Sequence, residues 1–130
     1  IRALKTKSPT LFVVCITFYS AQVRAIARAL QRVGVRDVAV HSVDSFQGSE
    51  ADVVVCSAVR SNAKANVGFL SDKRRLNVAL TRAKYSSIVL GSRDTLSRCG
   101  VDALRSLVED AAARDVIVSE HDIVRRIIRN

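Results

Sequence analysis

The stretch LFVVCI, residues 11–16, is a continuous run of apolar and mostly β-prone side chains. A strand with one face in water alternates apolar and polar residues, whereas a strand buried on both faces does not. This stretch therefore predicts a central strand of a parallel sheet. Further strands are predicted at VAVHSV (38–43), VVVCSAV (53–59), SSIVLG (86–91) and VIV (116–118).

Helical patterns separate these strands. After Ser20, a candidate N-cap, apolar side chains recur at i, i+3, i+4 and i+7, and Gly34 is expected to end that helix. The segment RRLNVALTRAK (74–84) has the same spacing behind Asp72, another candidate N-cap. Its apolar positions are Leu76, Ala79, Leu80 and Ala83. Shorter helices are expected over 92–98, around 104–111 and from Asp122. The alternation predicts an α/β fold, with a mostly parallel sheet and helices on both faces.

The composition fits one folded domain over residues 1–130, with its core at about 11–118. Because the sequence starts without Met, we expect it to be a fragment of a longer chain. No apolar run approaches the roughly 20 residues that span a membrane. The net charge is +9, and residues 60–84 hold seven Lys or Arg against one acid, Asp72. This charge indicates an anionic partner, which leaves nucleic acid, nucleotide phosphates, acidic lipid and an acidic protein face open.

Several kinds of chemistry are absent from the sequence. It contains no G-x-x-x-x-G-K-[S/T] phosphate loop, so any phosphate chemistry needs a composite site shared with another domain. The three cysteines, Cys15, Cys56 and Cys99, and the two histidines have no metal-ligand spacing, and we expect no metal site. Unpaired thiols are typical of a reducing intracellular compartment, cytoplasmic or nuclear.

Two longer segments carry a resemblance. SVDSFQGSEADVVVCSAVRSN (42–62) and GFLSDKRRLNVALTRAKYSSIVLGS (68–92) resemble motifs V and VI of superfamily 1 helicases, in the branch of the up-frameshift RNA helicase. TFYSAQ (17–22) is similar to motif IV, with Phe18 where the family usually has proline. The resemblance implies a RecA-like domain of the P-loop NTPase type, the second of an ATP-dependent helicase. It also implies ATP with Mg²⁺, held mainly by an upstream RecA-like domain of the same chain, so that this fragment alone is inactive.

The resemblance assigns nucleotide-facing residues by position. Arg82 matches the arginine finger that reaches the γ-phosphate across the interdomain cleft, a role suited to a planar, permanently charged group. Gly48 and Glu50 match the nucleotide side of motif V, and Gln47 fits the same pattern. Arg75 lies seven residues before Arg82 and is assigned to the same cleft. The alternatives are a solvated helix face for Arg82, a turn for Gly48 and an exposed loop acid for Glu50.

The resemblance also assigns residues that face the nucleic acid strand. Hydroxyls and amides at strand ends suit phosphate contacts, which position a nucleic acid without reading its sequence. Tyr19 is open to two interpretations, a base contact or a core aromatic. The matching residues are Thr17, Tyr19, Ser42, Asp44, Arg60 and Asn62.

Three hypotheses remain open from the sequence. The first is the C-terminal motor half of a helicase that couples ATP hydrolysis to translocation on single-stranded RNA or DNA. The second is a catalytically inactive RecA-like module that binds nucleic acid or protein, and the third is a standalone basic RNA-binding domain. The joint presence of Gly48, Glu50 and Arg82 favours the first, since a binding module requires none of them.

Overall fold

Helices separate two of the three pairs of consecutive strands along the chain. The structure, a computed structural model, describes residues 1–58, 67–119 and 121–122. Its elements are α1 (Arg2–Lys7), β1 (Val13–Thr17), α2 (Ser20–Arg32), β2 (Ala39–Ser42), β3 (Ala51–Ser57), a 3₁₀ turn (Gly68–Ser71), α3 (Lys73–Thr81), β4 (Ala83–Leu90), α4 (Arg93–Arg98) and α5 (Asp102–Ala113).

The four strands form one parallel sheet in the order β2-β1-β3-β4. Its register defines two edges. The carboxyl edge, where strands end, carries Thr17, Ser42, Ser57 and Leu90. The amino edge, where strands begin, carries Val13, Ala39, Ala51 and Ala83. This sheet confirms the predicted α/β class and its parallel strands.

Both faces of the sheet are covered. All five residues of β1 are buried, which confirms the predicted strand over 13–16, whereas Phe12 of the predicted run precedes β1 and is 51% exposed. Val14 and Ile16 pack on one face with buried side chains of α3, α4 and α5, whereas Val13 and Cys15 pack on the other with Ile26 of α2. Because successive side chains of a strand point to opposite faces, one short stretch supplies both cores.

Two of the predicted helix ends are confirmed. The Asp72 carboxylate accepts from the backbone N–H groups of Arg74 and Arg75, so it is the side-chain N-cap of α3. Gly34 has φ +75° and follows the C-cap of α2, where its N–H donates to the Gln31 carbonyl at 3.0 Å. Ser20 is not a cap, because α2 already begins at Ser20 and the N-cap residue is Tyr19, whose side chain makes no capping hydrogen bond to the helix.

Three predictions need correction. Helix α3 ends at Thr81, so Arg82 is its C-cap and Ala83 opens β4 instead of extending the helix. Leu80 is only partly buried, whereas Leu76 and Ala79 are buried. Residues 116–118 form no strand, because they pair with no strand of the described sheet, and they stay exposed. Apart from its first turn near Asp122, the predicted last helix lies outside the described residues.

Candidate functional site

The amino edge brings the end of the motif V loop beside the end of α3. The Ala51 N–H donates to the Arg82 carbonyl at 3.0 Å. Glu50 directly precedes Ala51, so the loop that carries Gly48 and Glu50 enters the sheet next to Arg82. Two segments that are about thirty residues apart in the sequence therefore meet through a backbone hydrogen bond.

The Arg82 side chain is half-buried and partly satisfied. Its Nη2 donates to Thr81 Oγ1 at 3.1 Å, and that hydroxyl donates in turn to the Asn77 carbonyl at 2.7 Å in the last turn of α3. Its Nε is buried and has no hydrogen-bond partner within the part of the chain that the structure describes. A buried guanidinium donor without a partner is costly, so the hydrogen bonding of Arg82 is incomplete within this part of the chain.

The motif V loop exposes its candidate residues. Gly48 has φ +82°, and nothing lies within 4 Å of where its Cβ would be, so the turn alone requires glycine here. Gln47 and Glu50 are exposed and make no hydrogen bond or ion pair with the described residues. The loop therefore presents the Glu50 carboxylate next to Ala51 at the amino edge, and the exposed Gln47 amide three residues earlier.

The carboxyl edge begins with a buried polar link. Thr17 has no exposed surface, and its hydroxyl donates to the Gln22 carboxamide oxygen. The Gln22 nitrogen donates to Ser57 Oγ at 3.0 Å, which ties β1 to β3. Thr17 therefore has a protein partner, and its assigned contact with the nucleic acid strand stays a prediction. Phe18, at the position where the family usually has proline, is buried in the core.

An ion pair joins motif V to motif VI at this edge. Arg75 Nε donates to Asp44 Oδ1 at 2.9 Å and Arg75 Nη2 donates to Asp44 Oδ2 at 3.0 Å. These hydrogen bonds raise the pKa of the Arg75 guanidinium. Ser42 closes the adjoining turn, where its hydroxyl accepts from the Ser45 N–H at 3.2 Å.

This pairing separates Arg75 from Arg82. Helix α3 has nine residues, or about 13 Å, and Arg75 lies near its start whereas Arg82 follows its end. Arg75 was assigned to the nucleotide cleft with Arg82, but it pairs with Asp44, one of the strand-facing residues. The candidates therefore divide between the two edges.

Aromatic side chains flank the ion pair. The ring centroids of Tyr19 and Phe69 are 5.3 Å apart, and the Tyr19 hydroxyl accepts from the Phe69 N–H at 3.2 Å. The Arg75 guanidinium carbon lies 5.0 Å from the Phe69 ring centroid. Sequence reasoning did not select Phe69, although it stands only three residues before Asp72 in the quoted motif VI segment.

The remaining candidates are outside these contacts. Arg60 and Asn62 lie outside the described residues. Among the residues described, no three of the types His, Cys, Asp or Glu come together as a metal site. No helix in the same part of the chain has the length and apolar character to cross a membrane.

A four-stranded parallel sheet, covered on both faces and with basic and acidic loop residues at its edges, defines an α/β domain of the RecA-like class. Residues 1–94 match the family described as "AAA domain", and the chain belongs to this family. It covers the region of the second RecA-like domain of superfamily 1 helicases in the up-frameshift branch.

Similar proteins are much longer than this chain. DNA polymerase alpha-associated DNA helicase A of Saccharomyces cerevisiae is 43% identical over 95 residues, which are 72% of this chain and 14% of the relative. A Regulator of nonsense transcripts 1 homolog of Neurospora crassa is 48% identical over 89 residues, 64% of this chain and 8% of the relative. Helicase sen1 of Schizosaccharomyces pombe is 40% identical over 110 residues, 82% of this chain and 6% of the relative.

Proposed function

We propose that this chain is the C-terminal motor half of an ATP-dependent helicase, which couples ATP hydrolysis to translocation on single-stranded RNA or DNA. The observation that carries the proposal is the bond between the Ala51 N–H and the Arg82 carbonyl. It brings the Glu50 loop and Arg82 together at one edge, as a shared nucleotide site requires. The names of the relatives, which include "DNA helicase A" and "ATP-dependent helicase NAM7", support the same conclusion.

In this proposal Arg82 is the catalytic residue. An upstream RecA-like domain of the same chain binds ATP, and Arg82 reaches across the cleft to its γ-phosphate. The partly unsatisfied guanidinium then neutralises negative charge that builds on the phosphoryl oxygens in the transition state. Glu50 accepts hydrogen bonds from the ribose hydroxyls, and Gly48 and Gln47 shape the loop around the nucleotide.

The Mg²⁺ that accompanies ATP is assigned to the upstream domain in this proposal. The described residues offer no cluster of metal ligands, so the ion is held mainly by the upstream domain and by the phosphates. Mg²⁺ supplies charge neutralisation to the phosphates when it is bound. The chain by itself is therefore expected to hydrolyse no ATP.

The carboxyl edge holds the nucleic acid strand. Ser42, Tyr19 and the Asp44–Arg75 pair lie there with the exposed Lys73 and Arg74 at the start of α3. Basic side chains and hydroxyls contact phosphates without regard to sequence, as a translocating motor requires. Arg60 and Asn62 stay assigned to the same strand by the resemblance. The three free cysteines support an intracellular location, cytoplasmic or nuclear.

Arg82→Ala in the full-length protein tests the proposal. ATP turnover should fall by at least about 10³-fold, because the arginine acts on charge that develops only in the transition state. Affinity for a single strand should change little, since Arg82 lies at the opposite edge. Arg82→Lys should restore little turnover, because an ammonium lacks the planar fork of donors. Steady-state ATPase rates and strand-binding titrations measure both effects.

Arg28→Ala is the matched control, since Arg28 is an exposed arginine on α2, which packs on the face of the sheet opposite α3. It should leave turnover and strand binding unchanged. Near-normal turnover in Arg82→Ala would refute the assignment of the finger. A full-length protein that binds single strands but hydrolyses no ATP would support the alternative, a catalytically inactive module.

A further inference from the structure

Phe69 is an exposed aromatic side chain at the carboxyl edge. The chain has four phenylalanines, of which Phe18 and Phe46 are buried at 7% and 4% exposure, whereas Phe69 is 52% exposed. A single exposed apolar side chain is ordinary on a protein surface. The surroundings of Phe69 are what give it a role.

Three contacts hold the Phe69 ring in place. Its backbone N–H donates to the Tyr19 hydroxyl at 3.2 Å, and the two rings lie 5.3 Å apart at a tilt of 34°. The Arg75 guanidinium lies 5.0 Å from the ring centroid, and Asp44 holds that guanidinium through two hydrogen bonds. A ring fixed in this way loses little conformational freedom when a ligand stacks on it.

The charge near Phe69 selects an anionic ligand. Lys73 and Arg74 are exposed in the first turn of α3, four and five positions after Phe69. Neither makes a side-chain hydrogen bond or ion pair with the described residues, so both are available to phosphates. A ligand that stacks on a half-exposed ring and also binds the adjacent cations has flat aromatic groups on an anionic backbone. Single-stranded nucleic acid has this chemistry.

We propose that Phe69 is a stacking surface for one unpaired base of the strand, next to phosphates held by Lys73 and Arg74. The inference rests on the proposed function and adds to it a base contact that is tolerant of sequence. Every nucleobase has a flat face, so a stacking contact holds the strand without specifying it. Phe69 thus supplies affinity that backbone contacts alone do not.

The test compares the affinity of full-length wild type and Phe69→Leu for two oligonucleotides of equal length. One is a single-stranded oligo(dA), and the other is an abasic oligonucleotide with the same number of phosphates. Loss of one base stack should weaken oligo(dA) binding roughly 5- to 150-fold. Affinity for the abasic strand should not change, because that strand has no base that could stack on Phe69. Phe69→Tyr keeps the ring and should keep wild-type affinity for oligo(dA).

Phe12→Leu is the matched control. Phe12 is 51% exposed, so Phe12→Leu makes the same substitution as Phe69→Leu at nearly the same exposure. Phe12, however, precedes β1 at the amino edge. It should not alter binding to either strand. Thermal melts of each variant separate a local effect from loss of the fold, and Phe69→Met, which also removes the ring but keeps apolar bulk, takes the place of Phe69→Leu if that variant does not fold.

The outcomes distinguish failure of the stacking proposal from failure of the proposed function. If the wild type binds both strands and Phe69→Leu binds them equally well, or weakens both by the same factor, the stacking proposal is overturned. If Phe69→Tyr loses affinity like Phe69→Leu, the aromatic ring is not what matters and the proposal also fails. If the wild type binds neither strand, the proposed function fails first and the stacking contact fails with it.

Discussion

Leu76→Ala should destabilise the chain far more than Leu80→Ala. Leu76 is 4% exposed and packs in the core beneath α3, whereas Leu80 is only partly buried at the margin of that core. Removing three buried carbons costs about 2.4 kcal/mol in transfer free energy, at about 0.8 kcal/mol for each. The cavity left behind adds to this, so we expect about 3 kcal/mol for Leu76→Ala, and about half as much for Leu80→Ala.

Thermal and denaturant unfolding of residues 1–130 measure both variants. For a chain of this length, about 3 kcal/mol corresponds to a decrease in Tm of about 9–15 °C, interpolated between smaller and larger domains. The denaturant slope should stay the same in both variants, since the loss is in the native state. If Leu80→Ala is the more damaging of the two, α3 packs on the sheet with a different face, and the position of Arg82 at its end is wrong as well.

The remaining predictions concern a cap and two thiols. Asp72→Ala removes the carboxylate that accepts from the Arg74 and Arg75 N–H groups, and should cost about 1 kcal/mol by chemical denaturation, with Asp94→Ala on α4 as a near-neutral control. Burial raises the pKa of Cys15 from 9.0 to about 11 and that of Cys56 to about 12. Above pH 9 the unfolded chain loses thiol protons that the folded chain keeps, so stability should fall as pH rises from 9 towards 11, and less steeply in Cys56→Ala.

The strands were predictable from residue type because the core depends on it. An unbroken run such as LFVVCI has no polar position to put in water, and its residues 13–16 lie inside the covered sheet, whereas Phe12 precedes β1 and stays exposed. The same reasoning wrongly predicted a strand at 116–118, where the only signal was a run of β-prone residues. A strand needs a neighbour to satisfy its backbone, and the sequence does not show whether that neighbour is present.

The division of the candidates between two edges was not predictable from spacing. Arg75 and Arg82 are seven residues apart, which on a helix places them on the same side. Their separation comes instead from where α3 starts and stops, and from Asp44, which lies 31 residues from Arg75 in the sequence. Phe69 was missed for a similar reason, since its exposure and its contacts with Tyr19 and Arg75 exist only once the chain is folded.

Helix α3 connects the two edges as a rigid element. At one end Asp44 holds Arg75, and just past the other end Arg82 is bonded through its carbonyl to Ala51. Between them Leu76 and Ala79 fasten the helix to the sheet, so neither end moves freely without the other. A packed helix transmits displacement because close-packed cores resist local compression. In the proposed function, a nucleic acid strand that pulls on the Asp44–Arg75 pair would act on the same rigid helix that leads to Arg82, and this helix would be the mechanical link between the nucleic acid and the nucleotide.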